Sequence, residues 1–262
     1  MAVTLVKNPK KNDIGNRLFV GTPTRGTVRI EWVLARYGQI IPCNWSMGHM
    51  LQAYDTFAPL GYGVADAQNL IVKQVVEGNW DWLLLIEDDT CPPPDTFIRF
   101  NEYIRDESIP IVSGLYYTKS LPPEPLVYRG RGTSYYDDFK LGDKVWADGV
   151  PTGCLLINGK ILQLMWQESP EYLVSGTITR RVFDQPSGTW FDPESGGWAS
   201  ATGTSDLNWC TRVMEQNVIE RAGWKSIGRK KYPFLVDTNI FCRHVNIDGE
   251  MFPPSNVIPN AK

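Results

Sequence analysis

The sequence predicts an α/β fold built on a central, mostly parallel sheet. Three observations carry that expectation. Short apolar runs and amphipathic stretches alternate as strand–loop–helix–strand–helix–strand over the first 90 residues, the order expected of βαβ units. The run WDWLLLI at 80–86 is almost continuously apolar, the pattern of a strand covered on both faces. Further apolar runs return at 109–117, 153–157 and 234–245. With 262 residues, no internal repeat and no clean linker, the chain is expected to form one domain with two lobes.

Each element follows from local chemistry. Residues 1–16 are polar, carry Lys7, Lys10 and Lys11, and read as a loose arm. Residues 17–21 (RLFVG) are a short apolar run stopped by Gly21 and Pro23, which predicts a buried strand entering a loop. Val28, Trp32, Val33 and Ala35 suit a helix over 27–37, and 38–42 (GQIIP) read as a second strand. In 66–77 (DAQNLIVKQVVE), Leu70, Ile71, Gln74 and Val75 recur at helical spacing, with Asp66 as N-cap and Gly78-Asn79 as the stop. After the strand at 80–86 and Pro92-Pro93-Pro94 come a helix over 95–104 and a strand over 109–117. Residues 121–150 mix Pro, Gly, Tyr and charge with short β-like pieces, as in a hairpin excursion. A strand at 153–157, a short helix at 161–166, a helix at 206–216 and a strand at 234–245 complete the pattern. Between them, 184–205 is rich in Gly, Ser and Trp and reads as a long loop. Its Trp190 and Trp198 either pack the loop onto the core or stack on a sugar as part of a lid.

Composition removes several classes. Lys and Arg total 26 against 29 Asp and Glu, a net charge of −3, which is not the electrostatics of a protein that wraps a phosphate backbone. Five scattered cysteines without a C-x-x-C argue against a disulfide framework or a zinc knuckle. The N-terminal residues have no apolar core of a signal peptide, and no apolar run reaches the roughly 18 residues of a membrane span. A cytoplasmic protein in a reducing compartment is the expectation. No G-x-x-x-x-G-K-[ST] occurs, and Gly61-x-Gly63 is followed by Asp66 where a dinucleotide fingerprint needs a third glycine.

The chemistry concentrates at Glu87-Asp88-Asp89, directly after the buried run. Open α/β sheets bind ligands at the C-terminal ends of their strands. Three adjacent acids repel one another, and hard divalent cations favour carboxylate oxygens. Along an extended chain Glu87 and Asp89 would share one side, with Asp88 opposite. A solvated acidic turn is the alternative reading.

Together, the apolar strand, the D-x-D-type acids and the following Thr90-x-Pro92 resemble the nucleotide-sugar site of GT-A glycosyltransferases, family 2-like, of the bacterial and phage type. Four further segments resemble the same family in the same order. VGTPTRG (20–26) is similar to its first strand and base-holding loop, and DAQNLIV (66–72) to its "A-R-N" helix start, with Gln68 in place of Arg. SGLYYTKSLPPEPLVY (113–128) is similar to the strand and Pro-rich stretch after the metal motif, and VPTGCLLI (150–157) to the acceptor-side strand. The resemblance spans residues 17–245; Glu87 replaces the usual first Asp, and Ser205 a usual Glu.

What the resemblance implies is specific. The fold would be a GT-A type, Rossmann-like domain with a nucleotide-sugar lobe over 17–120 and an acceptor lobe over 121–250, followed by a tail over 251–262. The activity would be transfer of a hexose from a nucleotide-diphosphate sugar, UDP- or GDP-linked, to a glycan or another hydroxyl acceptor. A nucleic acid acceptor is not favoured. Asp89 would hold a Mn²⁺ or Mg²⁺ ion on the donor diphosphate, with Glu87 binding metal or ribose. His244, in Cys-Arg-His at the end of the last strand, would be a third metal ligand, and an imidazole favours manganese. A structural role is its alternative. Thr22, Pro23, Thr24, Arg25, Asp66, Asn69 and Asp88 would contact the donor. Arg243 or the Arg229-Lys230-Lys231 cluster would meet the diphosphate, unless that cluster is a solvated turn. Asp206, where the family carries "E-D-x-x-x-C", would be the general base of an inverting reaction, or else only a helix N-cap. His49 reads as structural or surface. Two other functions remain open on the sequence: a nucleotidyltransferase or metal-dependent phosphohydrolase on a similar sheet, and a non-catalytic carbohydrate-binding protein.

Overall fold

The computed structural model describes residues 16–44, 50–130 and 135–254, without the side chains of Trp190, Ser200, Ala201 and Thr202. The expectations for the arm, for His49 and for most of the tail lie outside the described residues.

The chain is a mixed α/β fold. Its first half runs β1 (Arg17–Gly21), α1 (Ile30–Tyr37), β2 (Ala53–Phe57), α2 (Val64–Glu77), β3 (Trp82–Ile86), β4 (Thr90–Cys91), α3 (Thr96–Asp106) and β5 (Ile111–Leu115). The second half continues with β6 (Lys144–Ala147), β7 (Cys154–Asn158), α4 (Gly159–Glu168), the hairpin β8 (Glu171–Val174) and β9 (Thr177–Arg180), and the hairpin β10 (Ser187–Asp192) and β11 (Gly197–Thr202). It closes with α5 (Ser205–Glu215), α6 (Val218–Arg221), α7 (Lys225–Gly228), β12 (Phe234–Phe241), β13 (Arg243–Val245) and β14 (Met251–Phe252).

Seven strands form the central sheet in the order β2-β1-β3-β7-β5-β12-β6. β1 pairs in parallel with β2 and β3, and β5 with β12. β7 lies antiparallel between β3 and β5, and β6 is antiparallel to β12. Most strands therefore share one direction, and β7 and β6 oppose it.

The alternation of side chains along β3 explains why its apolar run is unbroken. Leu83 and Leu85 enter one core, with Leu155 and Ile157 of β7 and Ile71, Val72 and Val75 of α2. Trp82, Leu84 and Ile86 enter the other, with Leu156 of β7 and Phe97, Phe100 and Ile104 of α3. Each such fully buried aliphatic side chain contributes roughly 1.5–3 kcal/mol, so β3 anchors whatever follows it.

Several elements differ from expectation. No strand forms over 38–42; the edge strand is Ala53–Phe57, whose Asp55 and Thr56 face solvent and disguise it. α2 starts at Val64 with Gly63 as N-cap, because the Asp66 carboxylate accepts from the Tyr172 hydroxyl at 2.8 Å instead of capping. The expected loop at 184–205 is largely the β10–β11 hairpin, turned at Gly196, which takes a positive φ of 67°. Phe191 and Trp198 pair across it and are exposed, Trp198 by 77%, so Trp198 does not pack the core. The final strand is broken at Cys242 into β12 and β13. All five cysteines are free thiols. Among the described residues no helix is long and apolar enough to cross a membrane.

Candidate functional site

The acids occupy a turn, not an extended strand. Thr90 N–H donates to the Glu87 carbonyl at 3.1 Å, and the Trp32 indole of α1 donates to the same oxygen at 2.7 Å. The turn aims the three carboxyl groups at three different partners.

Glu87 faces the start of β7. Because β7 runs against β3, residues 150–153 arrive where β3 ends, and Glu87 N–H donates to the Gly153 carbonyl. The Thr152 hydroxyl donates to Glu87 Oε1 at 2.7 Å and accepts from the buried Gln68 amide at 3.0 Å. Burial, reinforced by the charges of Asp89, Asp206 and Asp88, pushes the Glu87 carboxyl up to about 8, against the Thr152 hydrogen bond. Asp88 turns to the loop after β1, accepting from the Thr24 hydroxyl and the Arg25 backbone; burial raises its pKa.

Asp89 meets β13, which pairs with β4 so that His244 stands opposite Thr90. Asp89 Oδ1 lies 3.5 Å from His244 Nε2, and Asp89 Oδ2 lies 2.6 Å from Lys119 Nζ. Burial raises the Asp89 pKa, but hydrogen bonds and charges from His244 and Lys119 outweigh it and hold the carboxyl well below the usual range. The other ring nitrogen, Nδ1, is 2.8 Å from the Tyr117 carbonyl, an acceptor only, so Nδ1 carries a proton. With Nδ1 committed to that carbonyl, Nε2 faces the Asp89 carboxylate, and either a proton or a cation fits between the two atoms. This donor set fits a divalent ion held by Asp89 and His244. Glu87 hydrogen-bonds to Thr152, and among the described residues no three His, Cys, Asp or Glu side chains form a ready-made cation cluster.

Asp206 sits in the first turn of α5, with Thr204 at the N-cap position. Its carboxylate accepts from Leu207 N–H and the Thr204 hydroxyl, and burial raises its pKa. It belongs to the same charged cluster, since its field raises both Glu87 and the buried Tyr116 phenol.

A cavity of about 650 Å³ opens beside the turn, lined by Pro23, Thr24, Arg25, Asp88, Asp89 and Lys119, with Arg29 and residues 245–247 also on its wall. Three residues anticipated as donor contacts do not line this cavity. Thr22 is buried and donates its backbone N–H to Phe57. Asn69 spends its amide on the Tyr172 hydroxyl and on both backbone groups of Phe183, each at 2.8 Å. Asp66 faces Tyr172 and borders a separate hollow with Arg181 and Asp184. Arg243 binds the Pro253 carbonyl, and Arg229 pairs with Glu220. Lys119 and Thr152 received no role from the sequence. Their signal there was only membership of two of the family-like segments; 30 residues separate Lys119 from Asp89, and the fold alone joins them.

No protein-family model matches the chain, and no curated protein matches it. Among solved structures, the crystal structure of A197 from STIV is similar with a TM-score of 0.49 and 14% identity, over 94% of this chain and 98% of that one. The crystal structure of S. aureus TarS is similar with a TM-score of 0.36 and 9% identity, over 59% of this chain and 30% of that one. Likeness at these identities assigns no activity.

Proposed function

We propose that the chain is a glycosyltransferase that moves a sugar from a nucleoside-diphosphate donor, UDP- or GDP-linked, onto a hydroxyl acceptor such as a glycan. One observation carries the reading: Glu87, Asp88, Asp89, Lys119, Asp206 and His244 gather at one end of the sheet, beside a cavity large enough for a nucleotide and flanked by Arg25 and Arg29. The cavity wall of Pro23, Thr24 and Arg25 suits the base and ribose, and its cations suit a diphosphate. Asp89 and His244 are the residues that would hold Mn²⁺ or Mg²⁺, and such an ion, when bound, stabilises the charge of a departing nucleoside diphosphate. Asp206 has the character wanted of a general base. Its burial makes it a stronger base than an exposed carboxylate, and it can take the acceptor proton while the sugar carbon is attacked opposite the leaving group, which inverts the anomeric centre.

Thermal unfolding in the presence of UDP- and GDP-sugars, with and without Mn²⁺, tests the donor. Stabilisation by one nucleotide class, enhanced by metal, is expected. No shift with any nucleotide sugar would remove the transferase reading.

A further inference from the structure

Lys119 bears on how the site changes state. Its ammonium, 2.6 Å from Asp89 Oδ2, and the His244 imidazole hold the Asp89 carboxylate from opposite oxygens. Its side chain is 28% exposed and borders the cavity, so it has room to move. A divalent ion on Asp89 and His244 would stand within a few ångström of an ammonium on the same carboxylate, and like charges at that range repel strongly. The two cations therefore compete. Glu87 is engaged by Thr152, and Asp88, which already feels the Lys119 charge, accepts from Thr24 and the Arg25 backbone. Released from Asp89, the ammonium faces the cavity that a donor's diphosphate would occupy.

We propose that Lys119 is a built-in counterion that a divalent cation displaces from Asp89, and that the freed ammonium then binds the donor diphosphate. This exchange rests on the transferase reading above. Before donor and metal arrive, Lys119 offsets the Asp89 charge beside two further acids. Afterwards the metal offsets that charge, and the diphosphate receives the lysine, so no ammonium is left unpaired. Metal and nucleotide must then favour each other reciprocally, because each supplies what the other's binding leaves wanting.

Calorimetric titration of wild type, Lys119→Met and Lys119→Arg, first with Mn²⁺ alone and then with UDP and GDP at saturating Mn²⁺, tests this. Lys119→Met keeps the apolar stem and removes the charge. It is expected to bind Mn²⁺ about tenfold tighter, having lost its competitor, and nucleotide about tenfold weaker, having lost a phosphate partner. Lys119→Arg, which keeps the charge, is expected to stay within about threefold of wild type in both titrations. Unchanged or weaker Mn²⁺ binding by Lys119→Met overturns the competition, and unchanged nucleotide binding overturns the handover. If neither nucleotide binds any of the three proteins, the transferase reading falls instead, and the Mn²⁺ titration still decides whether Lys119 and the metal compete.

Discussion

The turn at 87–89 and the first turns of α2 make a useful comparison. Both carry acids or amides at the edge of a buried element, and the sequence reads as donor contacts at each. They end differently. Asn69 makes three internal hydrogen bonds that pin Phe183 and Tyr172, and Asp66 accepts from the same tyrosine. Asp88 and Asp89 keep an edge on the cavity. The difference lies in where polar atoms find partners: a side chain whose atoms are all spent inside the protein is scaffold, however much its motif suggests a ligand.

Substitutions can break or sharpen that contrast. The largest expected effect is Asp206→Asn, which removes the proposed base with little change of shape. Transfer should fall about a thousandfold, or about 4 kcal/mol of barrier, with an unchanged melting temperature. Full transfer by this variant would exclude Asp206 as the base. Next is Asn69→Leu, which strands both backbone groups of Phe183. Urea unfolding should show a loss of about 3 kcal/mol, while the folded fraction binds nucleotide as wild type does. A loss of nucleotide affinity without loss of stability would return Asn69 to the donor site. Thr152→Val deletes the hydroxyl between Gln68 and Glu87 and should cost about 1–2 kcal/mol, read in the same unfolding experiment. Equal stability would mean that this chain of bonds is not maintained in solution. The smallest effect on stability belongs to Asp89→Asn. Its lysine pair is partly exposed, so stability should change by less than about 1 kcal/mol, yet Mn²⁺ should no longer raise the melting temperature. A Mn²⁺ response equal to wild type would move the metal away from Asp89.

The sequence made the buried framework readable because apolar runs report their own burial. β3, β5 and β7 stand close to where their runs predicted, and so does α4. The edge strand Ala53–Phe57 was hidden because an edge needs no continuous apolar run, and its polar residues resemble a loop. The β10–β11 hairpin was hidden for a related reason: its glycines and serines are loop-like, and backbone pairing rather than burial defines it. At the site, the acids were legible by their density after β3. Their partners were not. Lys119 arrives from the segment after β5 and Thr152 from the one before β7, and only sheet order determines that these strands end and begin beside the turn.

The reversed strand β7 has a further consequence. A side-chain carbon on Gly153 would collide with the Tyr116 phenol and the Thr90 hydroxyl, so three segments of the chain meet there as closely as backbones and rings allow. That junction has no slack for a larger side chain. A side chain at position 153 would therefore push apart the start of β7, the residue after β5 and the turn that carries the acids.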